Sequence, residues 1–456
     1  MQLSCFTLND KKIAMKKSVY NRIINQDGQP VLYNIHTEKL CIMDVSIADL
    51  YTKSDPKQIS ESHPTFYNYL VVNKFIIPDS TIEFEDVIKQ WNAEDNNSSC
   101  FSLTINPTLN CNLSCWYCYE NHIGNLLMSK ETLASVMKLI SKQMTNEALQ
   151  NFNLSFFGGE PLLGFDKIVK PIINHCDAEC KRHGKSLSIS FVTNGVLLNE
   201  YILSILNSYN RPISFQITLD GDMSSHNIVR KTKSGAPTYT NILNNCKKIL
   251  SHESMYLTLR CNFTAQNIST FLNVTSDCKL AFSDVAYPAH LTFDFHRVWQ
   301  DIQFSKQNSQ EISEQENNIK DLIRQAGFNV SANKEFNKSR CYADRKNHMV
   351  VNFDGNVFRC TARDFTAQNA EGILTSEGEI IWNYKSQKRD SIKWINHICH
   401  NCIIFPLCGG NCSQSKLESS RHDICYHGYT EQEKINIITK RFKWLIFLAK
   451  SDKHNL

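Results

Sequence analysis

The sequence predicts an α/β fold built around a run of parallel β/α units. Three observations carry that expectation. Apolar, β-rich runs and helical-looking segments take turns six times between Phe101 and about Ala326. Strand and helix in regular alternation give parallel strands, whose right-handed crossovers curl into a barrel or a doubly wound sheet. The residues that look chemically useful directly follow strands, where catalytic groups gather in such folds.

The strands are expected at Leu103–Ile105, Leu154–Phe157, Ser188–Thr193, Ile213–Leu219, Tyr256–Phe263 and Leu291–His296. The helices are expected at Lys130–Met144, Phe165–His183, Glu200–Asn207, Tyr239–Leu250, Ile268–Val274 and Glu311–Gln325. Residues 1 to about 95 form a separate unit, with a hairpin of Pro30–Asn34 and Leu40–Asp44 turning at His36-Thr37-Glu38. Helices near Val45–Tyr51 and His63–Asn73 and a strand-like Phe75–Pro78 complete it, and the polar stretch Trp91–Ser99 reads as a linker. At the far end, Thr430–Lys450 has Ile435, Ile438, Phe442, Leu445, Ile446 and Ala449 at helical spacing. With Lys440, Arg441 and Lys443 on a solvated face, this segment is expected to dock as a closing helix.

A chain of 456 residues has room for about three domains. Charged residues make up 21% and the net charge is +4 without a long run of one sign, so nothing calls for nucleic acid or an anionic membrane. Met1–Asp10 has no basic start followed by an apolar block, and the late apolar run Trp444–Ala449 is too short for a bilayer. A cytoplasmic protein is expected. Its eighteen cysteines then point to metal or redox work rather than to disulfides. Eight are scattered (Cys5, Cys41, Cys100, Cys176, Cys180, Cys246, Cys261, Cys278), and Cys176 and Cys180 read as packing residues on one helix face.

The other ten cysteines form two patterns. Cys111, Cys115 and Cys118 crowd one loop just after the first strand, in Cys111-Asn112-Leu113-Ser114-Cys115-Trp116-Tyr117-Cys118. Thiolates normally hold all four irons of a 4Fe–4S cluster, so three in one loop leave one iron without a protein ligand. A zinc knuckle with a distant fourth ligand is the alternative. One strand later, Phe157-Gly158-Gly159-Glu160-Pro161 offers a turn whose glycines permit close backbone approach, and whose glutamate and carbonyls suit a ligand ammonium. The second pattern is Cys341, Cys360, Cys399, Cys402, Cys408, Cys412 and Cys425. Zinc fits Cys399, Cys402, Cys408 and Cys412 as a ribbon-like site, but leaves Cys341, Cys360 and Cys425 unexplained.

The three-cysteine loop with Tyr117 before its third thiol, the Gly-Gly-Glu-Pro turn and the late array together resemble the radical S-adenosylmethionine (SAM) peptide maturases with a SPASM extension. The resemblance implies a winged-helix-like precursor-recognition domain at 1–95 and a partial (β/α)6 barrel at 100–326. It further implies a SPASM domain at 327–428 and a terminal helix at 429–456. By it, Cys111, Cys115 and Cys118 hold a 4Fe–4S cluster whose open iron chelates the amino and carboxylate groups of SAM, with Tyr117 beside them. Cleavage of SAM then yields methionine and a 5′-deoxyadenosyl radical that takes a hydrogen atom from substrate. Gly158, Gly159, Glu160 and Pro161 hold the SAM amino group, and Ser190 and Asn194 lie near its ribose. Arg230 falls near its carboxylate, and Asn262 near its adenine.

The same resemblance assigns Cys399, Cys402, Cys408 and Cys425 to a second auxiliary cluster, and Cys341, Cys360 and Cys412 to a first one. With three cysteines, the first has an open iron, a non-cysteine ligand or a substrate group to complete it. Sulfatase-maturating relatives carry an aspartate directly after the cysteine matching Cys360; here Thr361 stands there, and Asp364 is the nearest candidate base. The partners implied are a precursor peptide, whose leader adds as an extra strand, and an electron donor such as flavodoxin or ferredoxin. The reaction implied is hydrogen abstraction from that peptide, ending in an intramolecular thioether, ether or carbon–carbon cross-link. Two other readings stand: oxidation of a protein Cys or Ser to formylglycine, and a non-enzymatic, zinc-stapled binding protein.

Overall fold

The computed structural model describes residues 13–451 apart from 121, 123, 125, 305–308, 332–339, 411 and 422. The leading stretch Met1–Asp10 and the end of the expected 429–456 segment lie outside the described residues. The chain divides into two compact units, Met1–Asp95 with Ala332–Cys341 and Ser391–Leu456, and Asn96–Ser331 with Tyr342–Asp390.

The second unit is built on one sheet of eleven strands. Six of them, Cys100–Ile105, Asn151–Phe156, Ser186–Thr193, Ile213–Leu219, Met255–Phe263 and Leu291–Arg297, are neighbours in chain order and pair in parallel. This is the expected β/α succession, and its helices fall where the apolar spacing puts them. Ser129 caps Lys130–Met144 and Asn199 caps Glu200–Ser208, each side chain accepting from a backbone N–H of the first turn. The third strand shows why the sheet has two characters. Leu187, Ile189 and Phe191 are buried in the main apolar core, whereas Ser188 and Ser190 alternate with them and are partly exposed. The polar set continues across register partners: Asn153 opposite Ser188, Ser155 opposite Ser190, and Arg260 opposite Asp294.

Residues expected as one domain at 327–428 divide between the two units. His348–Val351 adds in parallel beside the first strand, and Asn356–Phe358, Gly372–Leu374 and Ile380–Trp382 follow it antiparallel, so Tyr342–Asp390 continues the central sheet. The remaining part, Ser391 onward, shares a core with the chain's first third: Tyr20, Tyr33, Val87 and Trp91 pack with Ile404, Phe405, Ile438 and Phe442.

In the first unit, the hairpin Gln29–Asn34 with Leu40–Ile42 forms as expected and gains a third strand, Asn21–Gln26. Met15–Lys17 pairs with Ile76–Pro78. The helices Val45–Lys53 and Pro64–Val72 match the reading, and Pro56–Ser62 is additional, opened by a capping box at Asp55. Three expectations are corrected. Trp91–Asp95 is no linker; it ends a helix, Glu83–Asp95, whose face Val87, Trp91 and Asp95 is buried. Arg441 does not ride a solvated face of the terminal helix Glu431–Ser451, because its guanidinium is drawn to Glu38 (2.6 Å). Ile435 is exposed on that helix, while Ile438 and Phe442 carry its packing.

Candidate active site

The cysteine loop leaves the first strand and is stitched down by backbone bonds. The Gly158-Gly159 turn packs so closely on it that a Cβ at Gly159 would stand 2.3 Å from the Asn110 carbonyl oxygen and 2.5 Å from that of Leu109. Gly158 takes φ +94°, which favours glycine. The Glu160 amide donates to the Asn110 carbonyl (2.8 Å). The Glu160 side chain is wholly buried and faces inward to the protein. Its carboxylate accepts from Thr193 Oγ1 (2.7 Å), the Asn194 amide (2.8 Å) and the Leu162 amide (3.1 Å). Burial raises its pKa, and these donors pull the other way. Glu160 therefore ties the loop region to the end of the third strand, and Pro161 opens the short 3-10 turn that follows. Asn194 completes the tie by donating to Asn112 Oδ1 (2.7 Å), with Cys111 Sγ at 3.7 Å.

Tyr117 is the hub of the site. Its hydroxyl donates to the Asp220 carboxylate (2.8 Å) and accepts from Arg230 Nη1 (3.1 Å) and Asn262 Nδ2 (3.0 Å). Arg230 and Asp220 are both buried, with Nε 3.6 Å from Oδ2. Burial pushes the Asp220 carboxyl up to about 6, against the pull of Arg230 and the Tyr117 hydroxyl. Asp220 is placed from behind by His226, whose Nδ1 accepts from the Asp220 amide (3.3 Å). Ser190 stands apart from this group and bonds its register partner Ser155 (2.5 Å). The sequence names Tyr117, Arg230 and Asn262 as site residues, while Leu219-Asp220-Gly221 stands out only as a turn at a strand end, with no role assigned to Asp220 itself.

On its other flank the cysteine loop meets the Cys360 segment. Tyr119 donates to the Thr361 carbonyl (2.8 Å), and Tyr342 shares a hydrogen bond with Thr361 Oγ1 (2.6 Å). Glu120, which the sequence reading passed over, is pushed up to about 8 by burial and by the nearby charges of Asp364 and Glu160. Asp364 is thus close enough to act on Glu120 electrostatically, and its own carbonyl accepts from Asn369 Nδ2 (3.0 Å).

The thiols suit cluster iron. Burial lifts Cys111 to about 12 and Cys118 to about 11, and raises Cys115 too, so these thiols need a cation to become ligating thiolates near neutrality. Arg230 already pulls each of the three downward. In the other unit, Cys399, Cys402, Cys408 and Cys425 all line one cavity of about 410 Å³, open solvent included. Cys412 is not among its lining residues. Cys341 and Cys412 belong to this same unit, whereas Cys360 belongs to the sheet unit. Among the described residues, no three His, Cys, Asp or Glu side chains gather as ligands of a single metal ion. Four thiols around one cavity are the donor set that a 4Fe–4S cluster takes, with one thiolate per iron.

Comparison with known proteins places this geometry. Residues 105–262 match the model of the radical SAM superfamily. The radical SAM cyclopropyl synthase TigE of Paramaledivibacter caminithermalis is 22% identical over 460 residues, spanning 92% of this chain and 93% of that protein. A cysteine-type anaerobic sulfatase-maturating enzyme of Clostridium novyi is 30% identical over 162 residues, which is 34% of this chain and 42% of that enzyme. The solved structure of native anSMEcpe with bound AdoMet and Cp18Cys peptide shares the fold, with TM-score 0.56 and 19% identity over 77% of this chain and 99% of that one. No described helix is long and apolar enough to cross a membrane. Residues 105–262 are thus similar to the radical SAM superfamily, and the chain resembles a radical SAM cyclopropyl synthase and an anaerobic sulfatase-maturating enzyme.

Proposed function

We propose that this chain is a radical SAM peptide maturase that abstracts hydrogen from a ribosomally made precursor peptide and closes an intramolecular cross-link. The observation that carries the reading is the extent of the likeness to TigE: it runs over 92% of the chain, well beyond residues 105–262. A cluster at Cys111, Cys115 and Cys118, with SAM bound, supplies a radical able to take a hydrogen atom from carbon.

The protein's own residues position and enclose. Gly158 and Gly159 bring the backbone onto the cysteine loop, and Glu160 holds that arrangement from inside. Asp220, Arg230 and Asn262 fix Tyr117 against the third cysteine of the loop. Asn194 and Ser190 remain the polar groups proposed toward the SAM ribose, Arg230 toward its carboxylate and Asn262 toward its adenine. Asp364, with Glu120 beside it, is the proposed proton acceptor. Cys341, Cys360 and Cys412 are proposed for one auxiliary cluster, and Cys399, Cys402, Cys408 and Cys425 for another.

For the peptide, the three-stranded sheet of the first unit ends on Asn21–Gln26 and Leu40–Ile42. An outer strand presents backbone groups that an extended leader can pair with. The precursor is a short peptide with a leader segment, and the electrons come from a flavodoxin or ferredoxin. Co-expression with a candidate precursor peptide, followed by mass spectrometry of that peptide, tests the reaction. A loss of two hydrogens per cross-link is expected; an unchanged peptide mass from enzyme that turns over SAM would overturn the cross-linking reading. A Cys or Ser converted to formylglycine would favour the sulfatase-maturating alternative.

A further inference from the structure

Two buried side chains behind the Tyr117 hub, His226 and Thr238, tie two of its members together. Asp220 and Arg230 stand at the two ends of one excursion of the chain. Asp220 follows the strand Ile213–Leu219, and Arg230 caps the helix Met223–Val229. His226 lies on that helix and is 0% exposed, and Thr238 is 2% exposed. The Asp220 amide donates to His226 Nδ1 (3.3 Å), and on the far side of the ring Nε2 lies 3.1 Å from Thr238 Oγ1. Thr238 has one hydroxyl proton, and it goes to the Arg230 carbonyl. Its oxygen therefore accepts at the ring, and Nε2 donates. Both ends of the imidazole require the same tautomer, with the proton on Nε2. Amide, imidazole, hydroxyl and carbonyl thus close the excursion into a ring, which the Arg230 amide tightens by donating to the His226 carbonyl (2.7 Å). Thr238 is anchored in turn, because its amide and that of Tyr239 both donate to Asn227 Oδ1 (3.0 and 3.1 Å).

The closed ring holds the Arg230 guanidinium in one place. Arg230 is 8% exposed and donates from Nη1 to the Tyr117 hydroxyl (3.1 Å). Its Nε stands 3.6 Å from Asp220 Oδ2 and makes no hydrogen bond among the described residues. A buried donor left unmade is costly, and a carboxylate is the acceptor that a guanidinium fork matches. We propose that His226 and Thr238 set Arg230 for the carboxylate of SAM, by fixing the Arg230 carbonyl and the Asp220 amide to each other. The proposal rests on the SAM-binding part of the function proposed above. Both residues act through Arg230 and Asp220 and are positioning residues.

The test uses the full chain, reconstituted anaerobically with iron and sulfide, and equilibrium dialysis against radiolabelled SAM. No reductant is added, so binding is read without turnover. Thr238→Val removes the hydroxyl and leaves both the imidazole N–H and the Arg230 carbonyl without their partner. Its dissociation constant for SAM should rise about tenfold, with the number of sites per chain held. Thr238→Ser keeps the hydroxyl and should bind within about twofold of wild type. His226→Leu should weaken SAM like Thr238→Val, and the double variant should lose no more than either alone, because the two residues form one chain of bonds. If His226→Leu does not fold, the Thr238 pair decides. Fewer sites per chain at an unmoved dissociation constant would mark a structural role only and overturn the inference. So would unchanged binding by Thr238→Val, or an equal loss in Thr238→Ser; both leave the SAM reading standing. Wild-type protein that binds no SAM overturns that reading and the inference together.

Discussion

Tyr117 joins the cysteine loop to two strand ends and one helix end through one hydroxyl. Tyr117→Phe leaves buried donors on Arg230 and Asn262 without their acceptor, a loss of about 1–3 kcal/mol. Urea unfolding of wild type and variant should show that drop, and equal midpoints would contradict the hub. Gly159→Ala should be worse for the site than for the fold. Its methyl meets two carbonyl oxygens of the cysteine loop, so iron bound per chain after reconstitution should fall by about one cluster. Acid adds a further check. Burial holds His226 and His348 neutral, with pKa values lowered to about 3. The unfolded chain takes up those protons first, so stability is intact above the ordinary histidine range and is lost as pH falls from about 6.5 toward 3. Each histidine contributes up to about 1.4 kcal/mol per pH unit. His226→Gln should flatten the acid limb of a chemical-denaturation series, and an unchanged slope would refute this. Local motifs made Cys111, Gly158, Glu160 and Tyr117 readable as a set. The Asp220 partnership was not readable, because Tyr117 lies 103 residues upstream and Arg230 at the end of the following helix, and nothing in Leu219-Asp220-Gly221 distinguishes it from a turn.

At the scale of elements, the six parallel strands were legible because each is a short apolar run between helices with clear periodicity. The helix Glu83–Asp95 was not, because its ending Trp91-Asn92-Ala93-Glu94-Asp95 is polar in a one-dimensional reading. Its burial comes from distant sequence. Trp91 packs on Phe405 at 5.5 Å between centroids, and Asp95 answers Arg340 and Lys393, each at 3.3 Å. The Arg340 guanidinium also lies over Trp91 and Trp394, 5.0 and 4.7 Å from the ring centres. Asp95→Asn removes the anion from two buried cations and should cost about 3–5 kcal/mol in thermal or denaturant unfolding. A change within experimental scatter would mean that the network is solvated in solution. The same reasoning explains Arg441, whose partner Glu38 sits in the hairpin turn 403 residues away.

At the scale of the molecule, ten cysteines spread over the two units are proposed as ligands of iron–sulfur clusters. The late cysteines stand out in the sequence as one array, but the division of that array between the two units does not. Tyr342–Asp390 extends the central sheet by strands of only three or four residues, too short to register as periodic runs, while Ser391 onward is claimed by the apolar surfaces of Tyr33 and Trp91. Three clusters predict about twelve irons per chain after anaerobic reconstitution; zinc in place of iron would favour a stapled scaffold. The most direct measurement is formation of methionine and 5′-deoxyadenosine from SAM under dithionite. Wild type should produce both, and Cys111→Ala/Cys115→Ala/Cys118→Ala should produce neither. Undiminished turnover by the triple variant would contradict a SAM-cleaving cluster in this loop.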